Sequence, residues 1–315
     1  MQAMILAAGH GKRLLPLTER RPKCLMPVAN RPLLGLWFGR LVSLEVDKVV
    51  INTHHLADQV KRWLVKLRPA MMEVLTSHEP ELLGTGGGLV KARTLLGETP
   101  FLLVNADVLC TADLFPLMRS LENTGAVAVL GLVDDKRFNT VAVSPQGKVL
   151  GFKGDQGIPA DALWRTYSGL AAISPRLLDF LPPSGYSSLV EGLRAAIQAG
   201  ELVAGASLDG FWDDLGTPQR LLEVHRLLAF TPPPNLRHLR FREPVLVANE
   251  AHVHPEAKVE GFVALDRGAR IEAGARVKDS VLFAGARVAE GAVVQDAILG
   301  DDFVAQGEIT GGAHA

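Results

Sequence analysis

Cysteine is scarce: Cys24 and Cys110 are the only two in 315 residues. That excludes a disulfide framework, so the fold must rest on a packed core. Both thiols read as buried or inert. An excess of charge is also missing. The formal net charge is −1, which argues against a nucleic-acid binder working through a basic surface. No apolar run approaches the roughly 20 residues of a membrane-spanning helix. The N-terminus carries neither a charged leader nor a cleavage site, so no secretory signal is expected. What remains is a chain that is 48% hydrophobic, unlike a disordered segment and long enough for two domains. The expectation is a soluble, cytoplasmic protein with no nucleic-acid or membrane partner.

Two familiar phosphate motifs are absent as well. No Gly-x-x-x-x-Gly-Lys-Ser/Thr loop occurs, and a dinucleotide fingerprint opening at Gly9 would need a glycine where Leu14 stands. The stretch Ala3–Val28 nevertheless has the form of a phosphate site. Met4-Ile5-Leu6-Ala7-Ala8 reads as a buried parallel strand and breaks into Gly9-His10-Gly11-Lys12-Arg13. Glycines just past such a strand let backbone N–H groups approach a phosphate. Arg13 can fork onto phosphate oxygens, and Lys23 adds a compact charge. The chemistry indicated is that of a polyphosphate.

Farther along, apolar residues at helical spacing run from Pro32 to Leu44 and from Leu56 to Leu67, with strands at 48–52 and 72–76. His78–Gly88 reads as a glycine-rich loop leading into a helix over Leu89–Leu96, followed by the strand Phe101–Val104 and Asn105-Ala106-Asp107. This alternation predicts a parallel α/β sheet with ligands beyond the carboxyl ends of the strands. Gly9, Gly84 and Asp107 all follow strands there. Shorter strands are expected at 126–133, 140–144, 148–152 and 167–174, then helices at 175–181, 187–199 and 218–228.

After Thr231-Pro232-Pro233-Pro234, which cannot continue a helix, the pattern becomes a repeat. Val253, Val259, Leu265, Ile271 and Val277 recur every six residues, and the comb resumes at Val288 and Val294. Asp279-Ser280-Val281-Leu282 returns seventeen residues later as Asp296-Ala297-Ile298-Leu299. An aliphatic residue every six, with small residues between, suits a triangular coil with one inward side chain per face. The domains expected are 1–229, a proline-rich linker over 230–244, a coil over 245–310 and a loose tail over 311–315.

G-x-G-x-R-L-x-P-x-T followed by P-K-x-L-x-P-V resembles the signature of the sugar-1-phosphate nucleotidylyltransferases, or NDP-sugar pyrophosphorylases. The matching positions are Gly9, Gly11, Arg13, Leu14, Pro16, Thr18, Pro22, Lys23, Leu25, Pro27 and Val28. The C-terminal comb resembles the hexapeptide repeat of left-handed parallel β-helices. The fold so implied is a Rossmann-like, mixed but mainly parallel α/β sheet followed by a short left-handed β-helix. The reaction implied joins a sugar-1-phosphate to a nucleoside triphosphate and releases pyrophosphate.

The resemblance also implies roles. Arg13 would hold the departing pyrophosphate and Lys23 the α-phosphate region. Leu6, Ala7, Gly9, Gly11, Gly84 and Thr85 would surround the nucleotide, with Glu79 facing the base. Asp107, and Asp214 in Trp212-x-Asp214-Leu215-Gly216-Thr217, would bind Mg²⁺. Asp213 competes, but its spacing from Trp212 is one short. On the sugar side stand Ser168, Gly169 and Lys153, the last without the Glu and Pro that flank the matching lysine in many relatives. His54 and His55 resemble a metal pair only superficially.

The domain order resembles mannose-1-phosphate guanylyltransferases, which favours GTP with mannose-1-phosphate or a related hexose or heptose phosphate. LGTGGG, FLLVNADV and TYSGLAAISP look closer to N-acetylmuramate-1-phosphate uridylyltransferases and heptose-phosphate guanylyltransferases, so a UTP-dependent enzyme is the alternative. A bifunctional acetyltransferase would need a longer helix with a catalytic histidine. A non-catalytic regulatory subunit should have lost Arg13, Lys23, Asp107 and Asp214, which are all present. The β-helix is expected to assemble copies into a homo-oligomer and to take no part in chemistry.

Overall fold

The computed structural model describes residues 1–239, 241 and 245–315. They form two compact units, Met1–Gly9 with Trp37–Trp212, and His10–Leu36 with Asp213–Ala315. Four positions of the expected linker, 240 and 242–244, lie outside the described residues.

The first unit is built on a nine-stranded sheet. Gln2–Leu6 lies between Lys48–Thr53 and Phe101–Asn105, parallel to both, with Ile5 opposite Ile51 and Val104. Glu73–His78 extends the parallel part beside Lys48–Thr53. The three central strands are apolar without alternation because both faces are covered: Met4, Ile5, Val50, Ile51, Leu103 and Val104 are wholly buried. The long strand Leu163–Ile173 then runs antiparallel to Phe101–Asn105, Val141–Val143 and Ala128–Val133. Val203–Ser207, a strand the hydrophobic pattern does not announce, pairs parallel with Ala128–Val133.

One helix begins earlier than its sequence suggests. Gly84-Thr85-Gly86-Gly87-Gly88 is not a loop but the first part of the helix Gly84–Leu96. Glycine is a poor helix former, and here close packing decides. A Cβ on Gly86 would come within 2.7 Å of Ser187 Oγ, and one on Gly88 within 2.7 Å of Glu79 Oε1. Ser188 caps the neighbouring helix Leu189–Gln198 by accepting the Glu191 N–H at 3.3 Å.

The second unit starts with short pieces. These are 3-10 turns at Lys12–Leu14 and Lys23–Leu25, a single helical turn at Leu17–Arg20, and a hairpin of Pro27–Val28 with Arg31–Pro32. It continues through the helix Pro218–Phe230 into stacked parallel strands. One ladder joins Val245–Val247, Lys258–Leu265, Arg276–Leu282, Val293–Gln295 and Glu308–Thr310, and another joins His252–Val253, Arg270–Ile271, Arg287–Val288 and Val304–Ala305. Val245 faces Val263, Val281 faces Ile298, and Ile298 faces Ala313, so the coils shorten from eighteen to seventeen to fifteen residues. This is a parallel β-helix. Leu265, Ile271, Val277, Val288 and Val294 fill its interior, as the six-residue comb requires. Residues 311–315 differ from the loose tail expected. Ala313–His314 pairs with Ile298–Leu299, and Gly300 N–H donates to the His314 carbonyl at 2.6 Å.

Candidate active site

Leu6, Ala7, Gly9, Glu79, Gly84, Thr85, Asp107, Lys153, Ser168 and Gly169 belong to the first unit, and Gly11, Arg13, Lys23 and Asp214 to the second.

In the first unit, Asn52 is the organising residue. Its Oδ1 accepts the Ala7 N–H at 2.7 Å and its Nδ2 donates to Glu79 Oε1 at 2.8 Å. Glu79 Oε2 accepts the Leu83 N–H at 3.0 Å, ahead of the Gly84–Leu96 helix. The ends of three strands and the start of a helix are thereby tied through one amide and one carboxylate. Glu79 is 0% exposed, so it is not a surface acid. The signal for Asn52 was in the sequence, as the one polar residue closing the apolar run Val49-Val50-Ile51.

The glycine tract that follows directs its N–H groups inward. Those of Gly86 and Gly87 donate to the Ser187 carbonyl at 2.9 and 3.3 Å. Thr85 Oγ1 accepts the Leu189 N–H at 2.8 Å, and Gly84 adopts φ 73°, with the Tyr186 ring 3.0 Å from where a Cβ would stand. Gly9 is exposed and has open space around its Cβ position.

On the expected sugar side, Ser168 is 1% exposed. Its hydroxyl donates to the Gly131 carbonyl at 2.7 Å, and its own carbonyl accepts the Trp212 indole N–H at 2.8 Å. That side chain fastens strands together. Gly169 has φ 80° and lies against Asn105, whose Nδ2 would be 2.7 Å from a Cβ. Lys153 is exposed, just past the strand Val149–Phe152. The Tyr167 hydroxyl is buried without a hydrogen-bond partner in the protein, and burial raises its pKa. Asp107, partly buried, follows the strand Phe101–Asn105.

In the second unit, Arg13 and Asp214 form an ion pair, Nη2 to Oδ2 at 3.3 Å, with side chains 57% and 24% exposed. So accessible a pair adds little to stability. Asp214 Oδ1 also accepts the Gly216 N–H at 2.7 Å. A Cβ on Gly216 would stand 2.6 Å from that oxygen and 2.8 Å from Arg13 Cζ, so the glycine of Trp-x-Asp-Leu-Gly-Thr leaves room for the guanidinium. Asp213 is bound instead by Arg220, whose Nε donates to the Asp214 carbonyl at 2.9 Å. The two adjacent carboxylates thus have different partners. Gly11, at φ 65°, packs beside Thr18 and Lys23, with Thr18 Cγ2 2.7 Å from its Cβ position. Thr18 Oγ1 donates to the Gly11 carbonyl at 3.1 Å, closing the turn that carries Arg13.

Carboxylate oxygens suit Mg²⁺, which takes one or two of them together with substrate phosphates and water. The partly exposed carboxylate of Asp214 fits that donor set. Among the described residues no group of three or more His, Cys, Asp or Glu could hold a metal. His54 turns Nδ1 to the Glu79 carbonyl at 2.8 Å. Burial pushes the Cys24 thiol up to about 12 and raises that of Cys110, as expected of inert thiols.

The fold is a mixed, mainly parallel α/β sheet in the first unit and a parallel β-helix in the second. The chain belongs to the nucleotidyl transferase family, which matches residues 2–230, and the GMPPB C-terminal domain matches residues 241–307. It is 33% identical over 234 residues to the N-acetylmuramate alpha-1-phosphate uridylyltransferase of Neisseria meningitidis serogroup B, covering 72% of this chain and 98% of that one. Identity to the Xenopus tropicalis mannose-1-phosphate guanylyltransferase catalytic subunit beta is 31%, covering 70% of this chain and 63% of the relative. The Mycobacterium tuberculosis mannose-1-phosphate guanylyltransferase is 28% identical, over 90% of this chain and 80% of its own. Among solved structures, HddC from Yersinia pseudotuberculosis complexed with GMP-PN superposes with a TM-score of 0.60 at 21% identity, covering 71% of this chain and 97% of its own. At that identity the likeness concerns the fold.

No helix among the described residues is long and apolar enough to cross a membrane.

Proposed function

We propose that this cytoplasmic protein condenses a nucleoside triphosphate with a sugar-1-phosphate. A phosphate oxygen of the sugar attacks the α-phosphorus, the bond to the bridging oxygen breaks, and pyrophosphate leaves. The nucleophile arrives with the substrate, so the protein's task is positioning and charge neutralisation. Arg13 holds the leaving pyrophosphate and Lys23 the α-phosphate. The backbone at Leu6, Ala7, Gly9, Gly11, Gly84 and Thr85, fastened through Asn52 and Glu79, holds the nucleoside. Lys153 and the backbone of Ser168 and Gly169 meet the sugar phosphate. Asp107 and Asp214 are the Mg²⁺ ligands. Mg²⁺, when bound, neutralises the polyphosphate. The observation that carries the reading is the accessible Arg13–Asp214 pair over Gly216, inside two motifs with no evident structural need for it.

GTP with mannose-1-phosphate, or a related hexose or heptose phosphate, is the preferred pair, supported by the guanylyltransferase relative that spans 90% of the chain. The 33% identity to a uridylyltransferase favours UTP with N-acetylmuramate-1-phosphate as the second reading. The β-helix is proposed to join copies into a homo-oligomer. Four nucleoside triphosphates assayed against several sugar-1-phosphates, with pyrophosphate as readout, separate these readings. Lys23→Ala and Asp214→Asn should lower turnover by at least about a hundredfold with melting temperatures near the parent's. Parental turnover in either rejects its role, and no pyrophosphate from any pair rejects the reaction.

A further inference from the structure

The segment 10–36, which carries Arg13 and Lys23, holds only short elements before its helix begins at Leu33: two 3-10 turns, one helical turn and a two-residue hairpin. Pieces this short do not hold their shape alone. Their conformation has to come from tertiary contacts: buried apolar side chains such as Leu14, Leu17 and Met26, and a polar cluster centred on Arg21. Its Nε donates to Asp301 Oδ2 at 2.8 Å and its Nη2 reaches Asp301 Oδ1, a forked pair. Nη1 lies 3.7 Å from Asp266 Oδ2, and the guanidinium carbon stands 5.1 Å from the centroid of the Phe283 ring. Arg21, Asp266 and Asp301 are only 15%, 17% and 19% exposed, so water screens this cluster far less than it screens Arg13 and Asp214.

Asp266, Phe283 and Asp301 come from three successive coils of the β-helix. Leu265, Leu282 and Leu299 stack in register; Asp266 and Phe283 directly follow the first two, and Asp301 follows the third by two residues. The same Arg21 reaches back to the catalytic turn, with Nη1 3.5 Å from the Leu25 carbonyl in the turn Lys23–Leu25. Arg20 adds a bond from Nη1 to the Asp301 carbonyl at 3.0 Å, and Asn30 Nδ2 donates to the Leu265 carbonyl at 2.8 Å. The arrangement has a parallel on the neighbouring corner. Arg226 of the helix Pro218–Phe230 stands 5.6 Å from the Phe262 ring centroid, 3.7 Å from Asp279 Oδ2 and 3.1 Å from Asp296 Oδ1.

We infer that Arg21 is a positioning residue. Seated in the Asp266–Phe283–Asp301 socket, it fixes the turn that presents Lys23, which makes the β-helix a working part of the phosphate loop. The inference rests on the proposed role of Lys23, but its structural half is measurable without any reaction.

Arg21→Ala, Asp301→Asn and their double variant are compared in the full-length chain. Backbone hydrogen exchange across 22–27 should rise at least about tenfold in each variant, while exchange in the strand Lys48–Thr53 stays parental. Turnover should fall about tenfold or more in each single variant, at a temperature where all remain folded, and the double should be no worse than the worse single. Glu272→Ala, which removes an outward partner of Arg287 on the same β-helix, should leave turnover unchanged. Parental exchange and turnover in a folded Asp301→Asn chain overturn the inference. That variant alone decides if Arg21→Ala does not fold. Slow exchange lost with turnover intact also overturns it, because the turn then needs no fixing. If Lys23→Ala keeps parental turnover, the phosphate reading fails instead, whatever Arg21 does.

Discussion

Asn52 spans a buried N–H and a buried carboxylate, and Gly88 leaves that pair its space. Asn52→Ala would strand the Ala7 N–H and Glu79 Oε1 without partners, a cost of about 1–3 kcal/mol. Gly88→Ala would place a methyl 2.7 Å from Glu79 Oε1 and 2.8 Å from Asn52 Nδ2, both held by hydrogen bonds and unable to retreat. Overpacking of this kind costs about 1–3 kcal/mol. Urea unfolding should register both losses, and both variants should raise KM for the triphosphate more than they change kcat. An unchanged KM would confine the network to structure. Single positions were unevenly legible. The spacing from Trp212 separated Asp214 from Asp213, and the structure gives the two different arginine partners. The polar closure of a strand marks Asn52 in the sequence, but local pattern does not reveal which distant backbone group its amide will meet. Ser168 read as a sugar contact, yet its hydroxyl is engaged by Gly131.

Elements with a strong period were read well, and those made by packing were not. The six-residue comb gave the β-helix, and apolar runs gave the parallel strands. The Gly84–Leu96 helix was missed at its start because glycine-rich sequence argues for a loop until the close approach of Ser187 and Glu79 is known. The hairpin at Ala29-Asn30 is another case. Both residues have positive φ, 49° and 60°, as a two-residue hairpin turn demands, though alanine seldom adopts it. His225, on the helix Pro218–Phe230, holds the turn: its Nε2 accepts the Ala29 N–H at 3.2 Å while Nδ1–H donates to the Leu221 carbonyl at 2.8 Å. Only the neutral ring can do both. Burial pushes its pKa down from 6.5 to about 4. Between these values the unfolded chain binds more protons than the folded one, so stability is full above about pH 6.5 and falls as pH drops towards 4. The loss at the low end is on the order of 3 kcal/mol. Urea titrations from pH 7 to 4.5 should show this slope, flattened in His225→Gln, which accepts a hydrogen bond without titrating. An equal slope in that variant would place the titration elsewhere.

At the scale of the whole chain, the sequence suggested a division of labour, with chemistry before the prolines and assembly after them. Linear motifs support that division, but the contacts of Arg21, Asn30 and Arg226 cut across it, since each joins a segment before residue 230 to a coil after 245. No local pattern announces such a pairing: Arg21 sits between the two halves of the signature, and Asp301 looks like any corner aspartate. If the coils hold the phosphate loop, heat should remove turnover when the coils melt. Leu282→Ala tests this in the intact protein. Leu282 is wholly buried inside the β-helix, and emptying its site should cost about 2–5 kcal/mol. It touches none of the groups assigned to chemistry, so turnover at low temperature should stay close to the parent's. On heating, loss of turnover should move down by as many degrees as the β-helix transition followed by circular dichroism. Light scattering through the same range separates this from dissociation of an oligomer, which would depend on protein concentration. A β-helix transition that falls while the temperature of inactivation holds would mean that the coils only assemble subunits, and the loop keeps its shape without them.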